Sequence, residues 1–240
     1  MYIEQDEVYK VMDYLDNLAD IDPNYALTEY FKHKDEEKQE CLKIIDEIEN
    51  INKLIPTIKD KSQKGKCTLK KGKLLEELAL KILNVRRIFD IKPNLKCDSN
   101  EIDLLLQPSS NGKLYSRLLP QFMKEDIIVE CKNYNKKIDV TWIGKVCSLL
   151  VYKKVKYGIL FSYNELKGRN EWDASKGLVK KIYLSDNIMI INITIQDIKD
   201  ILASEKNNII KSIINKVNDI KYHTEFDKYI KPHPAQQIEA

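Results

Sequence analysis

From residue 72 onward the sequence alternates short apolar runs of strand length with amphipathic helical segments, and this order restricts the possible folds more than any other feature. We predict helices at residues 73–83, 139–154, 171–184 and 207–223, with a short helix capped by Thr194. We predict strands at residues 85–91, 101–107, 126–132, 157–162 and 188–193. The resulting order, α-β-β-β-α-β-α-β-α-α, predicts an α/β fold with a mixed central sheet flanked by helices.

The first sixty residues have a different character. Apolar residues at helical spacing predict helices at 6–18, 22–33 and 35–54, and the third carries an apolar stripe of Ile44, Ile45, Ile48 and Ile51. We therefore divide the chain into an acidic all-helical region (1–60), a basic linker (61–71), an α/β core (72–203) and a C-terminal helix and tail (204–240).

Charge is distributed unevenly between these parts. Residues 1–60 carry 16 acidic and 7 basic side chains, a net charge of −9, which leaves +12 on residues 61–240 for the chain total of +3. A basic body is compatible with a polyanionic partner, although a lysine-rich composition explains the same excess.

The remaining composition suggests a cytoplasmic protein. No apolar run approaches the length of a membrane span, and the start of the chain does not resemble a secretory signal. The five cysteines are odd in number and form no CxxC pair, which argues against a disulfide framework and a structural zinc site. The three histidines lack metal-ligand spacing, and no glycine-rich phosphate loop is present.

The run "DIIVECK" (126–132) places two charges inside a strand that is otherwise apolar. Side chains alternate along a strand, so Glu130 and Lys132 project from one face. The preceding strand, "EIDLLLQ" (101–107), holds Asp103 between two apolar residues. Charges are costly to bury without partners, so these positions need an explanation.

A divalent cation between the two carboxylates would relieve their mutual repulsion. Mg²⁺ takes oxygen ligands and accepts a site of two carboxylates completed by water and phosphate. A lysine on the same face can then orient or help to deprotonate a metal-bound water, or stabilise charge on a phosphate oxygen. This chemistry is that of phosphodiester hydrolysis.

Residues 72 to about 202 resemble the PD-(D/E)XK nuclease superfamily, and most closely its Mrr-like restriction endonuclease branch. Three segments carry the resemblance: "GKLLE" (72–76), "EIDLLL" with Asp103, and "VECKNY" with Glu130 and Lys132. Two features depart from the pattern. Glu101 and Ile102, without the usual glycine, precede the aspartate, and the connection 108–125 is long enough for a substrate-contacting hairpin or a tolerated insertion.

The resemblance implies a restriction-endonuclease-like core and assigns roles to individual residues. Asp103 and Glu130 would bind Mg²⁺, which Mn²⁺ can replace, Lys132 would support the attacking water, and Glu76 on the preceding helix would assist the metal site. Glu76 is preferred to Glu77 because it lies nearer the apolar stripe of its helix. Possible substrate-binding residues near the site strand are Asn133, Tyr134 and Lys145.

These expectations lead to a Mg²⁺-dependent DNA endonuclease, acting in restriction or antiphage defence. The alternative is a catalytically inactive, nuclease-derived subunit that binds nucleic acid or serves as a scaffold in a larger complex. A third possibility, compatible with either, is that residues 1–60 mediate self-association or docking of a partner in a defence complex, with simple packing support as the competing explanation.

Overall fold

The computed structural model describes residues 25–96, 101–116 and 119–222, together with six helical positions between residues 6 and 17. The helix predicted at 6–18 and the start of the helix predicted at 22–33 fall largely outside the described residues. Within them the chain forms a five-stranded mixed sheet and eight α-helices. The predicted α/β class and mixed sheet are confirmed.

Eight helices are described. They are α1 (Tyr25–Tyr30), α2 (Asp35–Leu54), α3 (Lys61–Leu83), α4 (Ser110–Leu114), α5 (Val140–Lys153), α6 (Ala174–Asp186), α7 (Ile195–Ala203) and α8 (Ile209–Tyr222). Side chains cap the beginnings of two of these helices, including the predicted Thr194 cap. The Asp139 side chain accepts a hydrogen bond from the backbone N–H of Thr141 at 2.9 Å, and Thr194 forms a capping box with Asp197.

The sheet has the strand order β1-β2-β3-β4-β5. Its strands are β1 (Phe89–Lys96), β2 (Glu101–Pro108), β3 (Ile127–Lys132), β4 (Tyr157–Ser162) and β5 (Met189–Thr194). The first three strands pair antiparallel, and β3, β4 and β5 pair parallel. Strand β3 is therefore the one at which the sheet changes from antiparallel to parallel, and helix α5 provides the crossover from β3 to β4.

Helices cover both faces of this sheet. On one face α5 and α6 pack against strand residues that include Ile128, Leu160 and Ile190. On the other face α2, α3, α7 and α8 pack against Val129, Phe161 and their neighbours. A strand buried on both faces must be apolar at nearly every position, which explains the continuous apolar sequences of β4 and β5.

Residues 61–71 form the first three turns of α3, in place of the predicted basic linker. The Asp60 carboxylate caps this helix by accepting from the backbone N–H groups of Ser62 and Gln63, both at 3.1 Å. Lysine, glutamine and leucine have good helix propensity, and the end of the helix is stabilised by packing of the apolar residues from Leu74 onward. The predicted linker is wrong: the lysine-rich residues 61–71 are part of a helix.

Helix α2 has the bounds predicted from its sequence, and it packs on the same core as the rest of the chain. Its stripe of Ile44, Ile45, Ile48 and Ile51 is buried in one cluster with Leu75 and other residues of α3 and with residues of α7. The residues from 35 to 54 are thus not a separate domain. Because the stripe is buried within this chain, it does not support docking of another chain. A role of residues 1–60 in self-association or partner docking therefore stays a prediction without structural support.

The long connection between β2 and β3 is neither a hairpin nor a simple loop in its described part. It contains α4 and a 3₁₀ turn at Gln121–Met123, and it buries Leu119, Phe122 and Met123 against the core. In its described part, this connection therefore contributes to the hydrophobic core.

Candidate metal and nucleic-acid site

The candidate site lies where the carboxyl end of β3 meets the beginning of β2. The two strands are antiparallel, so the third residue of β2, Asp103, comes beside the end of β3. Burial along β3 falls in the same direction. Its first three residues are fully buried, whereas Glu130, Cys131 and Lys132 are partly buried. The strand thus passes from the core to an accessible edge at the predicted catalytic residues.

Asp103 is bonded to the site strand through its side chain. Its Oδ2 atom accepts a hydrogen bond from the backbone N–H of Cys131 at 2.6 Å. Burial raises the pKa of Asp103, whereas this hydrogen bond and the nearby Lys132 ammonium lower it in part. The carboxylate is therefore fixed in position by the strand that carries the other candidate metal ligand.

Glu130 and Lys132 form an ion pair, with 2.5 Å between Lys132 Nζ and Glu130 Oε1. Only 16% of the Glu130 side chain and 15% of the Lys132 side chain are exposed. Burial and the negative charge of Asp103 raise the pKa of Glu130. Burial alone would lower the pKa of Lys132, but the adjacent Glu130 carboxylate raises it, so Lys132 is protonated at neutral pH.

The second oxygen of Glu130 is the most informative atom of the site. Glu130 Oε2 is buried and has no hydrogen-bond partner among the described residues. A buried carboxylate oxygen without a partner is costly, and a cation is the ligand that its chemistry favours. The donor set of Asp103 and Glu130 consists of oxygens, which suits Mg²⁺ or Mn²⁺.

Glu76 reaches the same site from helix α3. It is partly buried, whereas Glu77 is exposed, as the helical spacing predicts. Burial raises the pKa of Glu76, and the negative charges of Asp103 and Glu101 raise it further, while Lys132 lowers it. Asp103 and Lys132 thus lie within electrostatic reach of both Glu76 and Glu130. No group of three or more acidic, histidine or cysteine side chains close enough to bind a metal occurs in the described ranges, so water and substrate would have to complete the coordination.

Two of the predicted substrate-binding residues, Tyr134 and Lys145, lie beside the ring of Trp142. Trp142, in the first turn of α5, has its ring 4.7 Å from Lys132 Nζ and 4.3 Å from Lys145 Nζ. The Tyr134 ring lies 5.3 Å away, centroid to centroid. The i,i+3 spacing of Trp142 and Lys145 on a helix was the signal available in the sequence.

Asn133, the residue after Lys132, also has an unusual environment. Both polar atoms of its amide are buried without a hydrogen-bond partner in the described part of the chain. Tyr134 is 44% exposed, and Lys145 is exposed. Two of the three residues therefore face solvent beside the site, and the third presents an unsatisfied amide.

Sequence reasoning also missed Lys71, which is only 3% exposed. Its Nζ atom donates to Asn52 Oδ1 at 2.6 Å and to Asn135 Oδ1 at 2.8 Å. Lys71 precedes Leu74, Leu75 and Leu78 at helical spacing, which would have placed it on the buried stripe if α3 had been extended to its true beginning.

A separate cleft of about 530 Å³ lies beyond the carboxyl ends of β4 and β5. None of Glu76, Asp103, Glu130 or Lys132 lines it. Its lysines have acidic partners: Lys180 donates to Glu171 at 2.7 Å, and Lys216 lies 3.0 Å from Asp197. The predicted catalytic residues therefore lie at the β3 edge and outside this cleft.

No helix among the described residues is both long enough and apolar enough to cross a membrane. Comparison with known proteins gives no relative: no family model matches the chain, and neither does any curated protein or any solved structure.

Proposed function

We propose that this chain is a Mg²⁺-dependent endonuclease that hydrolyses phosphodiester bonds of DNA on a restriction-endonuclease-like core. One observation carries the proposal. The buried Oε2 atom of Glu130 has no hydrogen-bond partner in the described ranges, and it lies at the edge of a central strand near the fixed carboxylate of Asp103 and the ammonium of Lys132. A role in restriction or antiphage defence rests on the resemblance alone.

Asp103 and Glu130 would hold the metal through their carboxylate oxygens. A bound divalent ion lowers the pKa of a coordinated water and neutralises charge on the phosphate. Asp103 is fixed by its bond to the Cys131 backbone, so this carboxylate needs little reorganisation when a substrate binds.

Lys132 has a proton to donate. Because the neighbouring Glu130 raises its pKa, its ammonium form is favoured at neutral pH. This supports a role in orienting the attacking water and stabilising negative charge on a phosphate oxygen over a role as a general base. Glu76, whose pKa is raised by burial, would accept a hydrogen bond from water near the site.

The residues around Trp142 would contact the nucleic acid. Lys145 provides an exposed positive charge, Tyr134 an exposed ring, and Asn133 an unsatisfied amide that can donate to a phosphate oxygen. Together they would extend the contact surface from the scissile phosphate along the DNA strand.

The test is a cleavage assay with the full chain. Supercoiled plasmid, linear duplex DNA, single-stranded DNA and RNA are incubated with increasing Mg²⁺ or Mn²⁺. We expect metal-dependent cleavage of DNA by the wild type and none by Asp103→Asn or Glu130→Gln, which keep the shape of the side chains but remove the charge. Equal cleavage by the wild type and both variants would refute the proposal.

The alternative is a nuclease-derived nucleic-acid-binding or scaffold subunit without turnover. It is favoured by the direct pairing of Glu130 with Lys132 and by the small number of acidic groups close enough to share a metal in the described ranges. Salt-sensitive DNA binding without cleavage of any of the four substrates at any metal concentration would select this alternative.

A further inference from the structure

The side chain of Lys71 is buried, and no carboxylate of the described residues lies within salt-bridge distance of it. Its two acceptors are the neutral amide oxygens of Asn52 and Asn135, and the Tyr163 ring centroid lies 5.9 Å from its Nζ atom. Lys180, the other fully buried lysine of the described residues, pairs with Glu171. A buried ammonium with only neutral partners is costly, so Lys71 requires another explanation.

An amide beside Lys71 also has unused hydrogen-bonding capacity. Asn52 Nδ2 is buried without a hydrogen-bond partner in the described part of the chain. Ammonium and amide N–H groups all donate, and no carboxylate balances the charge of Lys71. What would satisfy this cluster is an anion with several acceptor oxygens.

The cluster adjoins the candidate catalytic site. The backbone N–H of Tyr163 donates to the carbonyl of Lys132 at 3.2 Å, and Asn133 and Asn135 follow Lys132 in the chain. Three residues of extended chain cover at most about 10 Å. At roughly 3.4 Å per nucleotide along one strand, this distance corresponds to about three nucleotides.

Solvent reaches the rim of the cluster. Asn135 is exposed, and Asn52 and Tyr163 are only partly buried. The Asn135 side chain, on the open side, occupies the position that a phosphate oxygen would take as an acceptor for Lys71. An exposed asparagine can move aside at little cost, whereas the ammonium is held in place by its helix.

We propose that Lys71, together with Asn52, forms a second phosphate-binding subsite that holds a backbone phosphate of the substrate strand within about three nucleotides of the scissile bond. This assignment rests on the proposed nuclease function for the identity of its ligand. Binding there would supply the missing negative charge and align the strand with Asp103 and Glu130. Burial lowers the pKa of Lys71, and an anion beside it would restore the charged form.

The first experiment uses inorganic pyrophosphate as the probe, with the full chain in EDTA so that no metal and no cleavage are involved. Thermal unfolding is followed with and without pyrophosphate. For the wild type we expect Tm to rise by about 3 to 6 °C at tenfold excess over the dissociation constant. Lys71→Met should lose this rise, whereas Lys66→Met should keep it, because that control removes the same charge from an exposed position of the same helix.

A second variant replaces the Asn135 amide, which accepts from Lys71 in the ligand-free protein, with a carboxylate. Asn135→Asp places an anion next to Lys71 Nζ, 2.8 Å away in the wild type, and removes no side chain from the core. We expect a higher Tm without pyrophosphate and little or no further rise with it, because the internal carboxylate competes for the same ammonium. This variant keeps the test decisive whether or not Lys71→Met folds.

The second experiment measures binding of a short DNA duplex at several salt concentrations, again without metal. Lys71→Met should lower the affinity roughly tenfold and reduce the salt slope by about 0.9, the value for one lost phosphate contact. Equal losses in Lys71→Met and Lys66→Met, or a pyrophosphate response in Asn135→Asp as large as that of the wild type, would overturn the subsite. Failure of the nuclease proposal would appear separately, as absence of metal-dependent cleavage with these binding differences intact.

Discussion

The side chain of Asp103 takes the place of a backbone acceptor for Cys131. The regular β2–β3 register extends from Leu106↔Ile127 to Leu104↔Val129, and beyond it the Asp103 Oδ2 atom accepts from the Cys131 N–H at 2.6 Å. One carboxylate therefore has two tasks: it satisfies the backbone of the site strand, and it would bind the metal. The two tasks can be separated by mutation.

Asp103→Asn should retain the backbone hydrogen bond, because an amide oxygen can accept from Cys131 as the carboxylate does. Asp103→Ala leaves that N–H without its partner and should lower the free energy of unfolding by about 1 to 3 kcal/mol. Both variants should lose metal-dependent cleavage. Urea unfolding and a plasmid cleavage assay measure the two effects, and equal stability of the Ala and Asn variants would disprove the structural role.

The Glu130–Lys132 pair should show strong coupling in stability. Lys132→Met leaves a largely buried carboxylate without its partner and should lower the free energy of unfolding by about 3 kcal/mol. This value is at the lower end of the range for buried pairs because both side chains retain some exposure. Adding Glu130→Gln should recover part of that loss, since no unpaired charge then remains. A double-mutant cycle by urea unfolding measures the coupling, and strictly additive effects would contradict it.

The cleavage rate tests the catalytic role of Lys132 separately from its role in stability. Lys132→Met should reduce the rate about a hundredfold or more, as expected for loss of a group that positions water and stabilises transition-state charge. Lys145→Met serves as a control on the other side of the Trp142 ring and should weaken DNA binding more than turnover. Equal losses of turnover in the two variants would argue against a special role for Lys132.

His33 should make stability depend on pH. It is buried, with Nε2 placed to donate to the Ile82 carbonyl at 3.0 Å, and burial lowers its pKa below 6.5. The unfolded chain therefore binds the proton more readily, so the stability from His33 is present above pH 6.5 and is lost as the pH falls through the folded-state pKa. We expect His33→Gln to lose less stability than the wild type between pH 7.5 and 5.0 in urea unfolding. An identical pH dependence of the two proteins would contradict this.

Helix α2 should behave as part of the hydrophobic core. Ile48 is fully buried, so Ile48→Ala should lower the free energy of unfolding by about 2 to 5 kcal/mol. The exposed Asp46 on the same helix provides a control, and Asp46→Ala should change stability by no more than about 0.5 kcal/mol. Deletion of residues 1–60 is correspondingly expected to destabilise the protein, as measured by thermal unfolding. A fully stable 61–240 fragment would show that α2 is dispensable.

Much of the local structure could be predicted because it depends on neighbours along the chain. Strand β4 and helix α2 have the predicted bounds, since each is a clear apolar pattern with a defined start and end. The sequence predicts helix α3 only from residue 73, twelve residues after its beginning at 61, because its first turns are exposed and lysine-rich and show no apolar period. The sequence did not predict the short helix α4, because a helix of five residues is too short to show an apolar period.

The shared strand face of Glu130 and Lys132 could be predicted from the sequence, because side chains alternate along any extended backbone. Helical spacing likewise predicts that Glu76, and not Glu77, turns toward the buried stripe of its helix. The hydrogen bond of Asp103 to Cys131, 28 positions away, and that of Lys71 to Asn135, across 64 positions, became visible only in the folded chain. Local periodicity fixes the direction of a side chain, whereas its partner across the molecule depends on how sheet and helices pack. The unpaired oxygen of Glu130 and the amide-bound Lys71 could therefore be found only once the chain was folded.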